Sequence, residues 1–254
     1  MRPPINTLFI GKTHQHIARV ESTNDYMRSF LELSQEQVPE GLLVTTDEQT
    51  AGKGQGGKKW LTEPGSNLMV SILLKPVFLE PRHVFYLNKA VALAIHDTLA
   101  TETYGISIKW PNDMYFENKK LAGVLIENVL GGNRILQSIV GIGINVNQKL
   151  FDENLPNPVS LIQITGRETD LSQLLATLCT QIEKYYLQLR SHQFTTIDAL
   201  YHHYLLRHQQ ENQFIINNEL ITATINGVTA GGKLILSTAD KKMELAVGEV
   251  EWVL

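Results

Sequence analysis

The chain has 254 residues, of which 43% are hydrophobic and 19% charged, an ordinary globular composition that excludes a disordered or low-complexity protein. Its formal net charge of -4 gives no overall attraction to nucleic acid or to anionic membranes, and no run of eighteen apolar residues predicts a membrane span. The single cysteine, Cys179, cannot form an intrachain disulfide. We therefore expect a cytoplasmic chain without a membrane partner.

The first half of the chain predicts strands and helices in alternation. HIARVES predicts a strand, and Ser22-Thr23-Asn24 then offers N-cap chemistry for a helix over DYMRSFLEL. GLLVTT predicts a second strand, and a glycine-rich loop separates it from LMVSILL, an apolar run of strand length. The apolar spacing of VFYLNKAVALAIHDTLAT then predicts a long helix.

The second half predicts strands first and helices afterwards. ISIKW, MYF, LAGVLIENV and ILQSIVGIGINVN are typical of strands, with turn residues at 117–118 and 131–133. A proline-broken loop and two helices follow, over LSQLLATLCTQIEKYYLQLR and TTIDALYHHYLLRH. The second includes His202, His203 and His208, which lack metal-ligand spacing and which we expect on a solvated helix face.

The order of these elements favours an α+β fold, because strands follow one another through hairpin turns and helices are gathered in blocks. The end of the chain consists of short strands punctuated by Asn-Gly and Gly-Gly, typical of a separate small β-barrel. We therefore predict two domains, a main domain over residues 1–208 and a small barrel over 209–254.

The stretch QTAGKGQGGKKW, residues 49–60, nearly fits two phosphate-binding patterns. Gly52, Gly54 and Gly57 satisfy G-x-G-x-x-G, and residues 52–58 satisfy G-x-x-x-x-G-K. Both motifs need a helix next, yet a strand follows, so the helix N-terminus that would receive the phosphates is missing. Backbone N–H groups freed by glycine can still form an anion nest, and a flexible hairpin is the alternative.

IKWPNDMYFENKKLAGVLIE, residues 108–127, combines polar groups suited to a phosphate. Asp113 can act as an oxygen ligand for Mg²⁺ with Asn112 beside it, although turn formation alone also accounts for both. Lys120, among small residues, can approach a phosphate or carboxylate closely, or simply lie solvated on an edge strand. Asn145 lies inside the apolar run GIGINVN, so it needs a partner, either a turn or a ligand.

Taken in order, ESTND, QTAGKGQGGKKW, KWPND, KKLAG and GIGINVN resemble the motifs of the biotin protein ligases, over nearly the whole chain. These enzymes activate biotin with ATP and attach it to a lysine of a carboxylase carrier domain. The resemblance implies a mixed, largely antiparallel sheet with helices packed on it, plus the small C-terminal barrel. It also implies that the glycine loop holds the biotin carboxylate and the phosphate of biotinyl-AMP.

The resemblance implies a role for each matching position. Lys120 is expected to be the catalytic residue, neutralising charge as the carboxylate attacks the α-phosphate. Backbone N–H groups of residues 53–55 are expected to receive the carboxylate. The expected biotin-binding residues are Ser22, Thr23, Asn24, Gln49, Gly52, Lys53, Gly54, Gln55, Trp60, Lys120 and Gly123. The expected nucleotide-binding residues are Lys53, Gln55, Lys58, Asn112, Asp113 and Asn145, with Asp113 also as the Mg²⁺ ligand.

The resemblance also implies partners. ATP and Mg²⁺ are the expected co-substrate and metal, with no tightly bound cofactor, and the expected partner is a biotin carboxyl carrier protein domain. Only twenty-one residues precede Ser22, so we expect the monofunctional type, without the DNA-binding domain of some relatives and without DNA binding. The oligomeric state stays open between monomer and homodimer. A lipoate or octanoate ligase or transferase, and a nucleotide-binding regulator without catalysis, are the alternatives.

The loop departs from the family pattern G-R-G-R-R-G, since Lys53, Gln55 and Gly56 stand at the three arginine positions. The guanidinium forks are therefore absent from this loop. Gln55 implies weaker retention of the adenylate if its amide cannot replace an arginine. Lys58 and Lys59 offer compensating charge, so both outcomes stay open.

Overall fold

The computed structural model describes residues 5–253, so the first four residues and the last residue of the two predicted domains lie outside the description. A seven-stranded sheet forms the main body. Its strands are β1 (His14–Val20), β2 (Leu43–Gln49), β3 (Leu68–Leu74), β4 (Ile106–Lys109), β5 (Asp113–Phe116), β6 (Lys119–Gly131) and β7 (Arg134–Ile144). They lie in the order β1-β2-β3-β7-β6-β5-β4, and only β1 and β2 pair in parallel. The mixed, largely antiparallel sheet is confirmed.

Five helices pack on this sheet or beside it: α1 (Thr23–Leu33), α2 (Phe85–Leu99), α3 (Leu161–Thr165), α4 (Leu171–Arg190) and α5 (Phe194–Tyr204). Helix α2 is apolar on nearly every side and is buried between the sheet and α4 and α5. Helix α1 packs on β3 and β7 and has its own small apolar cluster around Met27 and Leu73. The α+β class follows from this segregation.

The two faces of the central strands pack against different hydrophobic clusters. In β3, Val70 and Ile72 belong to the large core, whereas Leu73 belongs to the small cluster under α1. In β7, Ile142 belongs to the large core and Ile139 to the small cluster. Because side chains alternate along a strand, one face of the sheet is left for α1 and for the space beside it.

A second sheet contains the last five strands: β8 (Glu211–Ile216), β9 (Glu219–Val228), β10 (Leu234–Ser237), β11 (Lys242–Leu245) and β12 (Glu251–Trp252). They pair antiparallel in the order β11-β10-β9-β8-β12. Phe214 and Leu234 of this sheet share one core cluster with Phe85 of α2, and Trp110 Nε1 donates to Gly232 O at 2.9 Å. The predicted boundary at 208/209 falls just before β8 and remains a prediction.

Several elements differ from the sequence prediction by a few residues at their ends, and one helix is additional. Strand β1 begins at His14, and the short helix α3 was not predicted. Helix α5 ends at Tyr204 rather than at His208, because Leu205 is extended and Leu206 N–H donates to Ile108 O. None of the helices within residues 5–253 combines the length and the apolar character needed to cross a membrane.

The prediction of a solvated face was wrong for His202. Its Nε2 accepts the Val228 N–H at 2.9 Å, its Nδ1 lies 3.4 Å from Asp198, and its ring stacks on that of His208. His203, the next residue, is exposed as expected. The difference arises because the second sheet packs on one side of α5.

Candidate active site

A cavity of ≈ 740 Å³ opens on the α1 side of the large sheet. Its walls come from the start of α1, the glycine loop over 52–60, the turn between β4 and β5, strands β6 and β7, and the end of the chain. The structure brings thirteen of the predicted site residues to its wall: Ser22, Thr23, Asn24, Gln49, Lys53, Gly54, Gln55, Lys58, Trp60, Asp113, Lys120, Gly123 and Asn145.

One end of the cavity is lined by polar side chains that fix one another. Ser22 caps α1 by accepting the Asp25 N–H. The Thr23 N–H and hydroxyl both donate to Gln49 Oε1, at 2.8 and 3.1 Å. Ser71 Oγ lies 2.8 Å from Thr23 Oγ1 and 2.6 Å from Asn24 Oδ1. These groups therefore present donors and acceptors in fixed orientations.

Ser71 was not singled out from the sequence. It is fully buried within the strand LMVSILL, on the face opposite Val70 and Ile72. A polar residue in an otherwise apolar strand needs a partner, and that requirement was the available indication. The prediction of an N-cap at Ser22 is confirmed, and the cap places Thr23 and Asn24 at the cavity wall.

Two glycines form a flat floor under the indole of Trp60. Gly123 of β6 pairs with Gly143 of β7. A Cβ atom at Gly143 would lie 2.5 Å from Trp60 Cε2, and one at Gly123 would lie 3.2 Å from Trp60 Cζ3. The floor continues at Gly141, where a Cβ atom would lie 2.4 Å from Asn24 Oδ1. Side chains at these positions would fill the space that the indole and the amide now occupy.

The glycine loop folds back on itself as a short hairpin. Gly54 N–H donates to Lys58 O at 2.7 Å, and Trp60 N–H donates to Gly52 O at 2.8 Å. Gly56 and Gly57, at its tip, have φ of 67° and 78°, which glycine adopts without strain. We expected the Gly54 N–H to bind a carboxylate of the ligand. In this structure it donates to Lys58 O within the loop instead.

The loop is also fastened to α1. Lys53 Nζ lies 2.7 Å from Asp25 Oδ2, and Arg28 donates to Asp25 Oδ1 at 2.8 Å. Partial burial raises the pKa of Asp25, but the hydrogen bonds from Lys53 and Arg28 outweigh it and hold that pKa below its ordinary value. Arg28 and Asn24 both bond Glu127 of β6. The Lys53 side chain is thus directed to α1.

The other end of the cavity is cationic. Lys120 Nζ lies 2.6 Å from Asp113 Oδ2 and 5.7 Å from the Trp60 ring centroid. Five lysines line the cavity against two carboxylates, those of Asp113 and Glu251; the lysines are Lys53, Lys58, Lys59, Lys109 and Lys120. A local excess of positive charge in a chain with a net charge of -4 favours an anionic ligand.

Lys109 is a wall residue that the sequence reasoning missed, although it belongs to KWPND. Its Nζ lies 5.3 Å from the Tyr115 ring centroid and 5.4 Å from that of Trp252. Burial lowers the pKa of Lys109, Asp113 opposes that effect, and the charges of Lys120 and Lys58 lower it further. Its position at the end of a strand was the available indication.

Asn112 and Gly52 lie behind the cavity wall instead of on it. The Asn112 side chain is buried and donates to Asn88 Oδ1 of α2 at 2.7 Å. Gly52 packs beneath the loop, where a Cβ atom would lie 2.4 Å from Trp60 O. The structure therefore gives both residues a supporting position.

Asn145 fastens the loop that precedes α3. Its side chain donates to Val159 O at 3.1 Å, and its backbone N–H donates to Leu121 O at 3.0 Å. The partner that the buried amide requires is therefore a backbone carbonyl. The same loop is bonded to Lys120, whose N–H donates to Asn157 O and whose carbonyl accepts the Val159 N–H.

Within residues 5–253, no three His, Cys, Asp or Glu side chains converge on a point where they would bind a metal ion. A cation at this site would therefore need ligands from a bound anion as well as from Asp113.

Comparisons with known proteins agree with the fold and with the motifs. The chain is 30% identical over 249 residues to a bifunctional ligase/repressor, BirA, of Bacillus spizizenii, covering 93% of this chain and 74% of that protein. It is 29% identical over 161 residues to the biotin--[acetyl-CoA-carboxylase] ligase of Paracoccus denitrificans, covering 61% of this chain and 66% of that protein.

Its fold matches that of a biotin protein ligase from Aquifex aeolicus solved in complex with biotin and ATP, with a TM-score of 0.79 and 28% identity. That match covers 95% of this chain and 100% of the other. The model of the biotin/lipoate A/B protein ligase family matches residues 16–145, just over half of the chain. The chain therefore belongs to the biotin/lipoate A/B protein ligase family.

Proposed function

We propose that the chain is a biotin protein ligase, which forms biotinyl-5'-AMP from biotin and ATP and then transfers biotin to a lysine of a carrier domain. One observation carries this proposal. The cavity runs from the fixed polar groups of Thr23 and Gln49, past Trp60, to the Lys120–Asp113 ion pair among further lysines. A neutral polar ring with a carboxylate-ended tail suits the first end, and a polyphosphate suits the second.

The polar end suits the ureido ring of biotin, whose carbonyl accepts and whose two N–H groups donate. Ser22, Thr23 and Gln49 supply hydroxyl and amide groups of both kinds there. Asn24, held by Ser71 and Glu127, completes the wall. The apolar tail then extends along Trp60 over the floor formed by Gly123. The tail carboxylate is thereby directed toward Lys120.

In the first step, a carboxylate oxygen of biotin attacks the α-phosphorus of ATP, an O–P bond forms, and the bond to the departing pyrophosphate breaks. Lys120 is positioned to neutralise the charge that develops on the phosphoryl oxygens, since the floor beside it has no side chain. Lys58 and Lys59 of the loop supply further charge for the phosphates. Positioning and electrostatics are sufficient here, without a nucleophilic side chain.

We propose that Mg²⁺ binds together with the triphosphate of ATP. Asp113 fits this role because only one of its oxygens is bonded by Lys120 in the described structure, and Mg²⁺ commonly takes one or two protein carboxylates besides phosphates. When bound, the metal would offset the charge of the phosphate oxygens. Asn112 would support Asp113 from behind the wall, and Asn145 would hold the neighbouring loop near the adenylate.

In the second step, a lysine amine of the acceptor attacks the acyl carbon of biotinyl-AMP, an amide forms, and AMP departs as the amine loses a proton. We propose a biotin carboxyl carrier domain as the acceptor and no resident cofactor. We propose a cytoplasmic location because Cys179 is the only cysteine of the chain and is buried as a free thiol, so the fold needs no disulfide.

The test is biotin-dependent exchange of labelled pyrophosphate into ATP. We expect exchange with biotin and none with lipoate or octanoate. Exchange with lipoate or octanoate instead would identify the other branch of the family. A thermal shift with ATP but no exchange with any of the three acids would indicate a nucleotide-binding regulator, and either result would overturn the proposal.

We also propose that the protein does not bind operator DNA. Within residues 5–253, only five of the chain's 22 lysine and arginine residues cluster in one place, and these line the interior cavity, while the net charge is -4. We expect no sequence-selective, salt-sensitive retention of duplex DNA by the purified protein. Retention of that kind, at any protein concentration at which the protein stays monodisperse, would contradict this proposal.

A further inference from the structure

The turn between β4 and β5, residues 110–112, connects two side chains of the cavity wall. Lys109 ends β4, Asp113 begins β5, and these two residues pair across the hairpin. Asp113 Oδ2 lies 2.6 Å from Nζ of Lys120, the proposed catalytic residue of β6. Because Asp113 directly follows the turn, the position of its carboxylate depends on how the backbone of the turn is held.

Each residue of this turn is hydrogen-bonded to an element other than β4 and β5. The Trp110 indole donates to a carbonyl of the second sheet. Tyr201 of α5 donates its hydroxyl to Pro111 O at 2.7 Å. Asn112 Nδ2 donates to Asn88 Oδ1 of α2 at 2.7 Å. The turn is therefore fastened to three separate elements.

Tyr201 is completely buried, so it cannot touch a ligand in the cavity. Its ring meets that of Phe85 edge to face, with centroids 6.1 Å apart, and Lys89 Nζ lies 5.4 Å from its ring centroid. Burial raises the pKa of Tyr201 well above its ordinary value, and the charges of Asp113 and Asp198 raise it further. The hydroxyl therefore keeps its proton and remains a donor to the turn.

The bond to Pro111 O fixes the peptide group that joins residues 111 and 112. Without the Tyr201 hydroxyl, Pro111 O loses this donor, and rotation of that peptide becomes easier. Such a rotation moves the backbone just before Asp113, and with it the carboxylate that lies against Lys120. The first step depends on positioned charge, and a displacement of about 1 Å can slow a reaction ~100-fold.

We propose that Tyr201 is a positioning residue for the formation of biotinyl-AMP: its hydroxyl holds the turn so that Asp113 stays against Lys120, and Asn88 supports the same turn from α2. The proposal rests on the proposed function, because it concerns the rate of that reaction. It goes beyond that function by assigning part of the rate to a hydroxyl of the helical layer that no substrate reaches.

The experiment compares Tyr201→Phe with Tyr185→Phe. Both substitutions remove a tyrosine hydroxyl from a hydrogen bond of 2.7 Å, but Tyr185 donates to Asp97, near the far end of α2 from Asn88. We expect Tyr201→Phe to lower the kcat of pyrophosphate exchange ~10-fold, less than a 1 Å displacement can cost, because the other two bonds of the turn remain. The Kd for biotin, measured by calorimetry without ATP, should change by less than ~2-fold. Tyr185→Phe should leave both quantities at their wild-type values, although it loses a bond to a charged group.

A double-mutant cycle tests whether the effect passes through Asp113. Asp113→Asn keeps the shape of the side chain and removes its charge, so Lys120 loses the ion pair however the turn is held. In that background, Tyr201→Phe should change kcat by less than ~2-fold. Asn88→Ala, which removes the acceptor of Asn112, should lower kcat when it is the only substitution and should likewise have little effect beside Asp113→Asn. Rates are measured at high enzyme concentration, because Asp113→Asn alone is expected to be slow.

Three results would overturn the proposal: an unchanged kcat in Tyr201→Phe, an equal loss of kcat in Tyr185→Phe, or the full loss from Tyr201→Phe in the Asp113→Asn background. If Tyr201→Phe does not fold, the same measurements on Asn88→Ala decide, and a normal kcat in Asn88→Ala would then overturn the proposal.

Failure of the proposed function has a different appearance. In that case the wild-type protein shows no biotin-dependent exchange at all. An active wild-type protein whose kcat is unaffected by Tyr201→Phe would refute only the role of Tyr201.

Discussion

The Lys53 ammonium lies 2.7 Å from the Asp25 carboxylate, so the glycine loop is ion-paired to helix α1, whose first residues line the polar end of the cavity. About half of the Lys53 side chain is exposed, and an exposed pair of this kind contributes ~0.2–1 kcal/mol. The pair therefore favours the described conformation of the loop by a small amount.

We expect Lys53→Gln to open the loop more often. Amide hydrogen exchange at Gly54 and Trp60, whose N–H groups are bonded within the loop, should accelerate ~2- to 5-fold. The difference should shrink at high salt because the pair is exposed. Arg82→Gln is the matched control, since it removes another exposed ion pair, with Glu80, away from the loop. Equal exchange in Lys53→Gln and wild type would show that the pair does not hold the loop.

Lys120 is expected to act on the rate more than on biotin binding. Lys120→Ala removes a charge aimed at the reacting phosphate, and removal of one such donor costs ~10²- to 10³-fold in rate. Biotin affinity, measured by calorimetry without ATP, should change far less. Lys119→Ala is the matched control, because Lys119 is the exposed neighbour on the same strand. A normal kcat in Lys120→Ala would exclude Lys120 from the mechanism.

The sequence predicts elements well where local pattern decides the structure. LMVSILL was predicted as a strand and is β3 over the same seven residues, since an unbroken apolar run between turn residues suits a strand buried on both faces. The α+β class, the hairpins and the N-cap at Ser22 follow from local chemistry in the same way. Most of the site residues that were predicted from the motifs likewise line one cavity.

Relationships between distant residues were not predictable. Lys53 and Asp25 are 28 positions apart, and Lys109 and Trp252 meet only because the second sheet packs beside β4. Asn112 was expected at the ligand, but its side chain turns to Asn88 of α2. Periodicity shows which residues share a face of one element, whereas the partner of that face depends on how the elements pack.

The glycine floor should not tolerate a side chain. Gly143→Ala places a methyl group 2.5 Å from the Trp60 indole, and the backbone of β7 is fixed by pairing on both sides. The indole must therefore move into the cavity, and we expect biotin affinity to fall ~10-fold or more, the range of overpacking costs. Gly231→Ala, where the nearest atom is 3.9 Å away, is the control and should bind biotin normally. Normal affinity in Gly143→Ala would contradict the assignment of the floor.

Retention of the adenylate should depend on Lys58 more than on Gln55. Both residues line the cavity, but only Lys58 has a charge, and a hydrogen bond to a charged group contributes ~1.5–3 kcal/mol. In a mixture of enzyme, biotin, ATP and a bystander protein without a carrier domain, Lys58→Gln should increase lysine biotinylation of the bystander ~10-fold or more. Gln55→Arg should leave it close to the wild-type level. A large decrease in Gln55→Arg would show instead that the neutral amide at 55 lets the adenylate escape.

His202 should make the stability of the protein fall in mild acid. Its Nε2 accepts the Val228 N–H, so the neutral ring is required there, and protonation would set two N–H donors against each other. Burial lowers the pKa of His202 below its ordinary value of 6.5, Asp198 acts in the opposite direction, and the charges of Lys89 and His208 lower it further. As the pH falls, the unfolded chain therefore binds a proton at His202 before the folded protein does.

The sign of the effect follows from that difference. Above pH 6.5 His202 is neutral in both the folded and the unfolded state, and its contribution to the free energy of unfolding is complete. As the pH falls below 6.5, the unfolded state gains the proton, and the free energy of unfolding decreases by up to ~1.4 kcal/mol per pH unit. His202→Gln keeps an acceptor for the Val228 N–H but does not titrate, so its urea-unfolding free energy should fall less than that of wild type between pH 7 and pH 5.5, a window around the ordinary histidine pKa. His203→Gln, at the exposed neighbouring position, is the control for general acid sensitivity and should keep the wild-type slope. If His202→Gln and His203→Gln lose stability in parallel, the contact between His202 and the second sheet does not titrate in this range and the prediction is wrong.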